Sequence, residues 1–118
     1  MPSNMKKELI QYGDFQKLDL RVGEIKAAAP LEGSRNLLQL SVDLGEEYGV
    51  VEILSGIADY YKPEDIVGNK YIFVANLEPK KMLGHYSNGM IMAVDVNGGE
   101  TCILVQVPSS LKNGSIAR

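Results

Sequence analysis

The sequence predicts an all-β chain folded as one small barrel, and three observations carry that expectation. Residues 37–44 alternate, with Leu38, Leu40, Val42 and Leu44 on one side and Gln39, Ser41 and Asp43 on the other, the period-two pattern of a half-buried strand. Residues 18–29 alternate too but change phase at Gly23, since Leu18, Leu20 and Val22 share one parity and Ile25, Ala27 and Ala29 the other. A change of phase at a glycine predicts a β-bulge there, which lets one long strand bend and serve two sheets. Asn97-Gly98-Gly99, set between two apolar runs, is a strong hairpin turn.

The remaining elements follow in order. Residues 3–12 read as a short helix, with Ser3 as cap and Met5, Leu9 and Tyr12 on one side; Asp14 can cap one further turn through Phe15, Gln16 and Lys17. After the long strand comes a loop at 30–36, then the alternating strand, a turn at 45–49 and a returning strand at 50–54. Between 55 and 68 the pattern breaks. Pro63 suits the first turn of a short helix, Glu64 and Asp65 its positive end, and Gly68 its exit. Residues 70–77, with Tyr71, Ile72, Phe73, Val74 and Ala75 in a row, read as a strand buried on both sides, followed by strands at 90–96 and 101–107. Three strands, a short helix and two or more strands is the order of an oligonucleotide- or oligosaccharide-binding (OB) barrel, a five-stranded Greek key whose helix between strands 3 and 4 plugs one end. The expected division is an N-terminal helical appendage at 1–14, the barrel at 15–107 and a C-terminal tail at 108–118.

Composition bounds the function. A chain of 118 residues, 45% hydrophobic and 23% charged, has room for one folded domain. One cysteine allows no internal disulfide and one histidine no zinc cluster, so no metal or cofactor is expected and a reducing cytoplasm fits. No stretch approaches the roughly 20 apolar residues of a membrane span, and residues 1–10 lack a signal peptide's apolar core. A net charge of −3 argues against coating nucleic acid by charge alone. Glu46, Glu47 and Glu52 supply that whole excess, while residues 59–90 balance four carboxylates against four lysines. One acidic hairpin can therefore set the average while another face stays basic.

No enzyme is expected. His85 and Ser87 lack a nucleophile elbow, and Gly84 and Gly89 are not followed by the Lys-Ser/Thr of a phosphate-binding loop. Residues 74–91 are the candidate site. Lys80 and Lys81 follow a direction-fixing proline, Asn76 and Ser87 offer hydrogen bonds, and Met90 can lie against a base or sugar. Lys17, Arg21, Arg35, Lys62 and Lys70 could extend a basic track. Taken alone, Lys80-Lys81 also reads as a solvated turn and Met90 as core.

A set of motifs changes that balance. Asp19-Leu20-Arg21-Val22-Gly23-Glu24-Ile25, Val42-Asp43-Leu44-Gly45, Ser55-Gly56-Ile57-Ala58, Tyr61-Lys62-Pro63-Glu64-Asp65-Ile66-Val67-Gly68, Asn76-Leu77-Glu78-Pro79-Lys80-Lys81 and Ser87-Asn88-Gly89-Met90 stand in the order and spacing of a known family. From about Phe15 onward the chain resembles the tRNA-binding domain fused to the C-terminus of many methionyl-tRNA synthetases and also found free-standing. The resemblance implies a non-catalytic OB module that binds tRNA by its folded corner and backbone rather than its anticodon. It also implies a homodimer with residues 105–108 and 113–118 at the interface, and a separate methionyl-tRNA synthetase as a possible partner in trans. Asn76, Lys80, Lys81, Ser87 and Met90 match the RNA-contacting loop; Arg35 stands in the first loop. Glu78 and Leu83 depart from the pattern, where relatives often carry Lys and Arg, so the loop has lost cations. The alternative is the secretion-chaperone branch of the same fold, a dimer that binds unfolded polypeptides on apolar surface.

Overall fold

The computed structural model describes residues 5–118. Along the chain its elements are α1 (Tyr12–Phe15), β1 (Leu20–Pro30), β2 (Leu38–Asp43), β3 (Val50–Ser55), α2 (Pro63–Ile66) and β4 (Lys70–Val74). Then come β5 (Lys80–Met82), β6 (His85–Ser87), β7 (Met90–Ile91), β8 (Ala93–Val96), a 3₁₀ turn (Asn97–Gly99), β9 (Thr101–Leu104), β10 (Gln106–Val107) and β11 (Ile116–Ala117).

β1 is long enough to serve two neighbours. It pairs antiparallel with β4 from Leu20↔Val74 to Glu24↔Lys70, and with β2 from Glu24↔Asp43 to Pro30↔Leu38. The sheet runs β10-β4-β1-β2-β3, the five-stranded path expected of an OB barrel. It nearly closes where Asn88 N–H donates to Glu52 O at 2.9 Å, joining the segment after β6 to β3. Leu38, Leu40, Val42, Leu44, Ile53 and Phe73 fill the interior at 0–1% exposure; each is worth about 1.5–3 kcal/mol relative to leaving it in water. As expected, Pro63 opens α2 between β3 and β4, and the fully buried Ile66 makes this helix a plug.

The bend in β1 falls at Lys26, not at Gly23. Pairing passes from Ile25↔Val42 to Ala27↔Ser41, leaving Lys26 as the extra residue, whereas Gly23 stands in regular register opposite Tyr71. Gly23 faces the core without a side chain: a Cβ there would lie 2.7 Å from Phe73 Cδ1 and 2.8 Å from Leu44 Cδ2. The inward set is thus Gly23 and Ile25 before the bulge and Ala28 after it, with Ala27 and Ala29 exposed. A glycine on the core face hides its own parity, which is why the phase change is misplaced by sequence.

One other expectation is corrected, at the N-terminal end. Ser3 lies outside the described residues, and residues 6–11 form no helix; Leu9 is 99% exposed, so the apolar stripe has no surface to rest on. A helix this short is marginal without tertiary packing. The helix present is α1, and Asp14 lies within it, its carboxylate accepting Gln11 N–H at 3.1 Å and its carbonyl accepting Lys17 N–H at 3.2 Å in the turn that follows. At the other end the tail folds back onto its own barrel: β11 pairs with β1 at Leu20↔Ala117 and Arg21↔Ile116, beside the edge that β2 leaves uncovered.

The strands expected at 90–96 and 101–107 are each broken. Val105 N–H donates to Met92 O at 3.1 Å, Met92 N–H to Ile72 O at 2.9 Å and Ile72 N–H to Val105 O at 3.0 Å. The β8–β9 hairpin leaves the barrel at Met92 and returns at Val105, turning through Asn97, Gly98 and Gly99, all at positive φ. The strand expected at 70–77 ends at Val74. Among the described residues no helix is long and apolar enough to cross a membrane.

Candidate nucleic-acid interface

The lysine-bearing segment is a hairpin of its own. β5 and β6 pair through Lys80↔Ser87, Lys81↔Tyr86 and Met82↔His85, and Leu83-Gly84 turns the chain with φ of 50° and 82°. Positive φ at both central residues is the turn whose twist matches a hairpin. Here a leucine rather than the usual asparagine occupies the first position. Its side chain is exposed and lies beside Gly33 of the β1–β2 loop, with Leu83 Cδ1 4.0 Å from where a Gly33 Cβ would stand. The hairpin tip and the loop that carries Arg35 are therefore neighbours.

Besides the Asn88 N–H to Glu52 O bond, three side-chain contacts hold the hairpin to β3. Ser87 Oγ, buried, accepts Leu54 N–H at 3.0 Å and donates to Gly89 O at 3.1 Å. Asn88 Nδ2 donates to Glu52 O at 3.1 Å. His85 Nδ1 lies 3.2 Å from Glu52 Oε2, and Gln39 donates to the same carboxylate. The acidic excess is thus not confined to one remote hairpin. Glu47 pairs with Arg21 at 3.1 Å, but Glu52 sits at the base of the lysine hairpin.

The six candidate residues separate into two groups. Lys80, Lys81 and Arg35 are exposed and make no ion pair among the described residues; Lys81 Nζ stands 5.9 Å from the Tyr86 ring centroid, and Tyr86 is itself exposed. Met90 is 46% exposed. Asn76 and Ser87 are instead engaged within the chain: Asn76 Oδ1 accepts Asp19 N–H at 2.9 Å and its Nδ2 donates to Lys17 O at 2.7 Å. They fix the two ends of the segment whose middle carries the lysines.

Of the wider basic track, Arg21, Lys17 and Lys70 are engaged within the chain, while Arg35 and Lys62 are exposed. Arg21 is 8% exposed, donates to Asp19, Glu47 and the Gly114 carbonyl, and stacks 5.4 Å from the Tyr48 ring. Its hydrogen bond to Asp19 holds that carboxyl below its ordinary value and pushes the guanidinium above its own. Lys17 pairs with Asp14 at 3.6 Å, and Lys70 Nζ donates to Leu111 O at 2.6 Å. Arginine near the start of a strand reads as a cation in sequence; only the tail's return makes it a buried tie.

Sequence reasoning missed Glu52 as an anchor and a groove of about 210 Å³ beside β5, lined by Leu54, Leu77, Met82 and Met90 with Glu78 and Lys80 at its rim. Its signal was present in Leu77 and Met90, apolar residues flanking a charged turn.

Comparison with known proteins bears on the family and the fold. A family model described as "Putative tRNA binding domain" matches residues 20–116. The methionine–tRNA ligase of Clostridium tetani is 44% identical over 112 residues, 95% of this chain; the chain spans 17% of that ligase's length, so what it shares is a binding module and not the whole enzyme. Among solved structures, a MetRS related protein from Pyrococcus horikoshii superposes with a TM-score of 0.88 at 35% identity, covering 95% of this chain and 100% of that one. The chaperone CsaA from Bacillus anthracis str. Ames does so with a TM-score of 0.82 at 28% identity, over 94% and 100%. By the extent of these matches, the chain belongs to the tRNA-binding domain family.

Proposed function

We propose that this chain binds tRNA by its folded corner and backbone, not its anticodon, without catalysing a reaction, and that the β5–β6 hairpin is the principal contact. The observation that carries the reading is the pair of exposed lysines, Lys80 and Lys81, free of carboxylate partners among the described residues and adjacent through the hairpin tip to the loop of Arg35. Phosphate contacts of this kind supply affinity without base sequence. Asn76 and Ser87 hold the hairpin's ends, and Met90 offers an apolar surface beside it. The protein works in the cytoplasm as a homodimer that covers the exposed Tyr12, Leu18 and Ile116. It presents two lysine hairpins to one RNA and delivers tRNA to a methionyl-tRNA synthetase in trans. Two linked sites gain by avidity what an acidic chain lacks in charge.

A filter-retention titration of unfractionated tRNA tests this. Retention is expected at about 50 mM salt, falling steeply toward 200 mM. Lys80→Ala with Lys81→Ala removes two lysines from each of the dimer's hairpins and should flatten the slope of log affinity against log salt by about 2.8–3.6, the loss of four phosphate contacts. Retention no greater than that of albumin at low salt sinks the reading; a double variant with the wild-type slope moves the site elsewhere.

The likeness to a chaperone structure, together with exposed Leu77, Leu83 and Met90, favours unfolded polypeptide as the second reading. Suppression of client aggregation by a protein that retains no tRNA would select it.

A further inference from the structure

We propose that the groove beside β5 holds one unstacked nucleobase of the bound RNA, and that Glu78 at its rim selects a base with hydrogen-bond donors on its pairing edge, guanine above all. This rests on the tRNA reading and adds a specificity to it. At about 210 Å³ the groove is below the roughly 300–1,000 Å³ of a drug-sized site and suits a single planar ring system. Leu77 and Met90, 42% and 46% exposed, are left in water although the barrel core is closed; methionine thioethers adapt to a flat polarizable face.

The rim charges decide the occupant. Glu78 and Lys80 line the same groove, have opposite charges, and neither forms an ion pair among the described residues. A nucleotide satisfies both: its phosphate takes Lys80, and its base edge meets a carboxylate that can only accept hydrogen bonds. Guanine presents N1–H and N2–H₂ side by side to the two oxygens of Glu78. Cytosine and adenine present one amino group. Uracil flanks its single N–H with two carbonyl oxygens, which the carboxylate repels. RNA bases become available in this way in loops and bulges, where they are splayed from the helix. A glutamate just before the lysine hairpin thereby gains a role other than repelling phosphate.

The test compares binding of fluorescein-labelled hexauridylate with that of the same hexamer carrying one guanosine, alongside tRNA retention. The guanosine hexamer should bind about tenfold more tightly. Glu78→Gln, which both donates and accepts, should bring the two hexamers within about twofold of each other. Met90→Ala should weaken both hexamers alike. Equal binding of the two hexamers by the wild-type protein, or binding of neither, overturns the pocket and leaves the tRNA reading standing if tRNA is retained. Loss of tRNA retention by the wild-type protein overturns both. Displacement of the guanosine hexamer by an equal concentration of unfolded carboxymethylated lactalbumin would assign the groove to polypeptide and also overturn it.

Discussion

Replacing Ser87 by alanine separates a residue that touches RNA from one that holds the hairpin in place. The Ser87 hydroxyl is buried, accepts Leu54 N–H at 3.0 Å and donates to Gly89 O at 3.1 Å. Leu54 is itself 6% exposed, so water does not readily replace the lost acceptor. An orphaned buried N–H costs about 1–3 kcal/mol, and the Gly89 carbonyl loses a donor besides. Taking about 2 kcal/mol and about 4 °C per kcal/mol for a chain of this size, Tm should fall by about 8 °C. Scanning calorimetry measures that fall, and tRNA titrations at several salt concentrations measure the rest. No charge is removed, so the salt dependence should keep its wild-type slope, with affinity falling only as far as the hairpin loosens. An unchanged Tm together with a large loss of tRNA affinity would refute the reasoning, because it would make Ser87 a direct contact.

Two further outcomes follow from the barrel. Gly23→Ala places a methyl group 2.7 Å from Phe73 Cδ1 and 2.8 Å from Leu44 Cδ2, and overpacking of this kind should destabilise by about 1–3 kcal/mol, read as a lower midpoint in urea; wild-type stability would mean the core yields freely there. The Asp19 carboxyl is held below its ordinary value, first by the Arg21 hydrogen bond. Its stabilising effect is therefore present above the unfolded pKa and lost as pH falls through the folded one. Asp19→Asn should lower Tm at neutral pH and flatten its decline between about pH 5 and pH 2; an acid limb as steep as wild type would place the acid sensitivity in another group.

Much of the barrel was legible because alternation and turn chemistry are local. Leu38, Leu40, Val42 and Leu44 announce the face they bury, and Pro63 with Glu64 and Asp65 announces the plug helix. What escaped depends on partners distant in sequence. Lys26 becomes a bulge only against Val42 and Ser41, and Arg21 becomes a tie only when Gly114 returns beside it. The helix expected at the start fails for the complementary reason: its apolar stripe was read correctly, but no surface lies under Leu9. Within the site, exposure of Lys80 and Lys81 follows from their place in a turn, whereas the engagement of Asn76 with Lys17 and Asp19 spans nearly half the chain. The turn itself was obscured because Leu83 carries a positive φ that asparagine or glycine would have signalled.

The return of β11 to β1 also bears on how the chain acquires its fold. Arg21 reaches the Gly114 carbonyl across 93 positions, and the β1–β11 pair encloses nearly all of the barrel between its strands. Bringing such ends together costs loop-closure entropy before any contact compensates it, and topologies rich in these pairings fold slowly. During synthesis β1 can find β2 early, and Arg21 can meet Asp19 and Glu47, but the edge at Leu20 and Arg21 stays open until the segment at 114–117 has emerged. The first strand to be made is thus among the last to be finished. A nascent chain halted before that segment would expose an unpaired strand edge, the kind of surface on which misassembly starts.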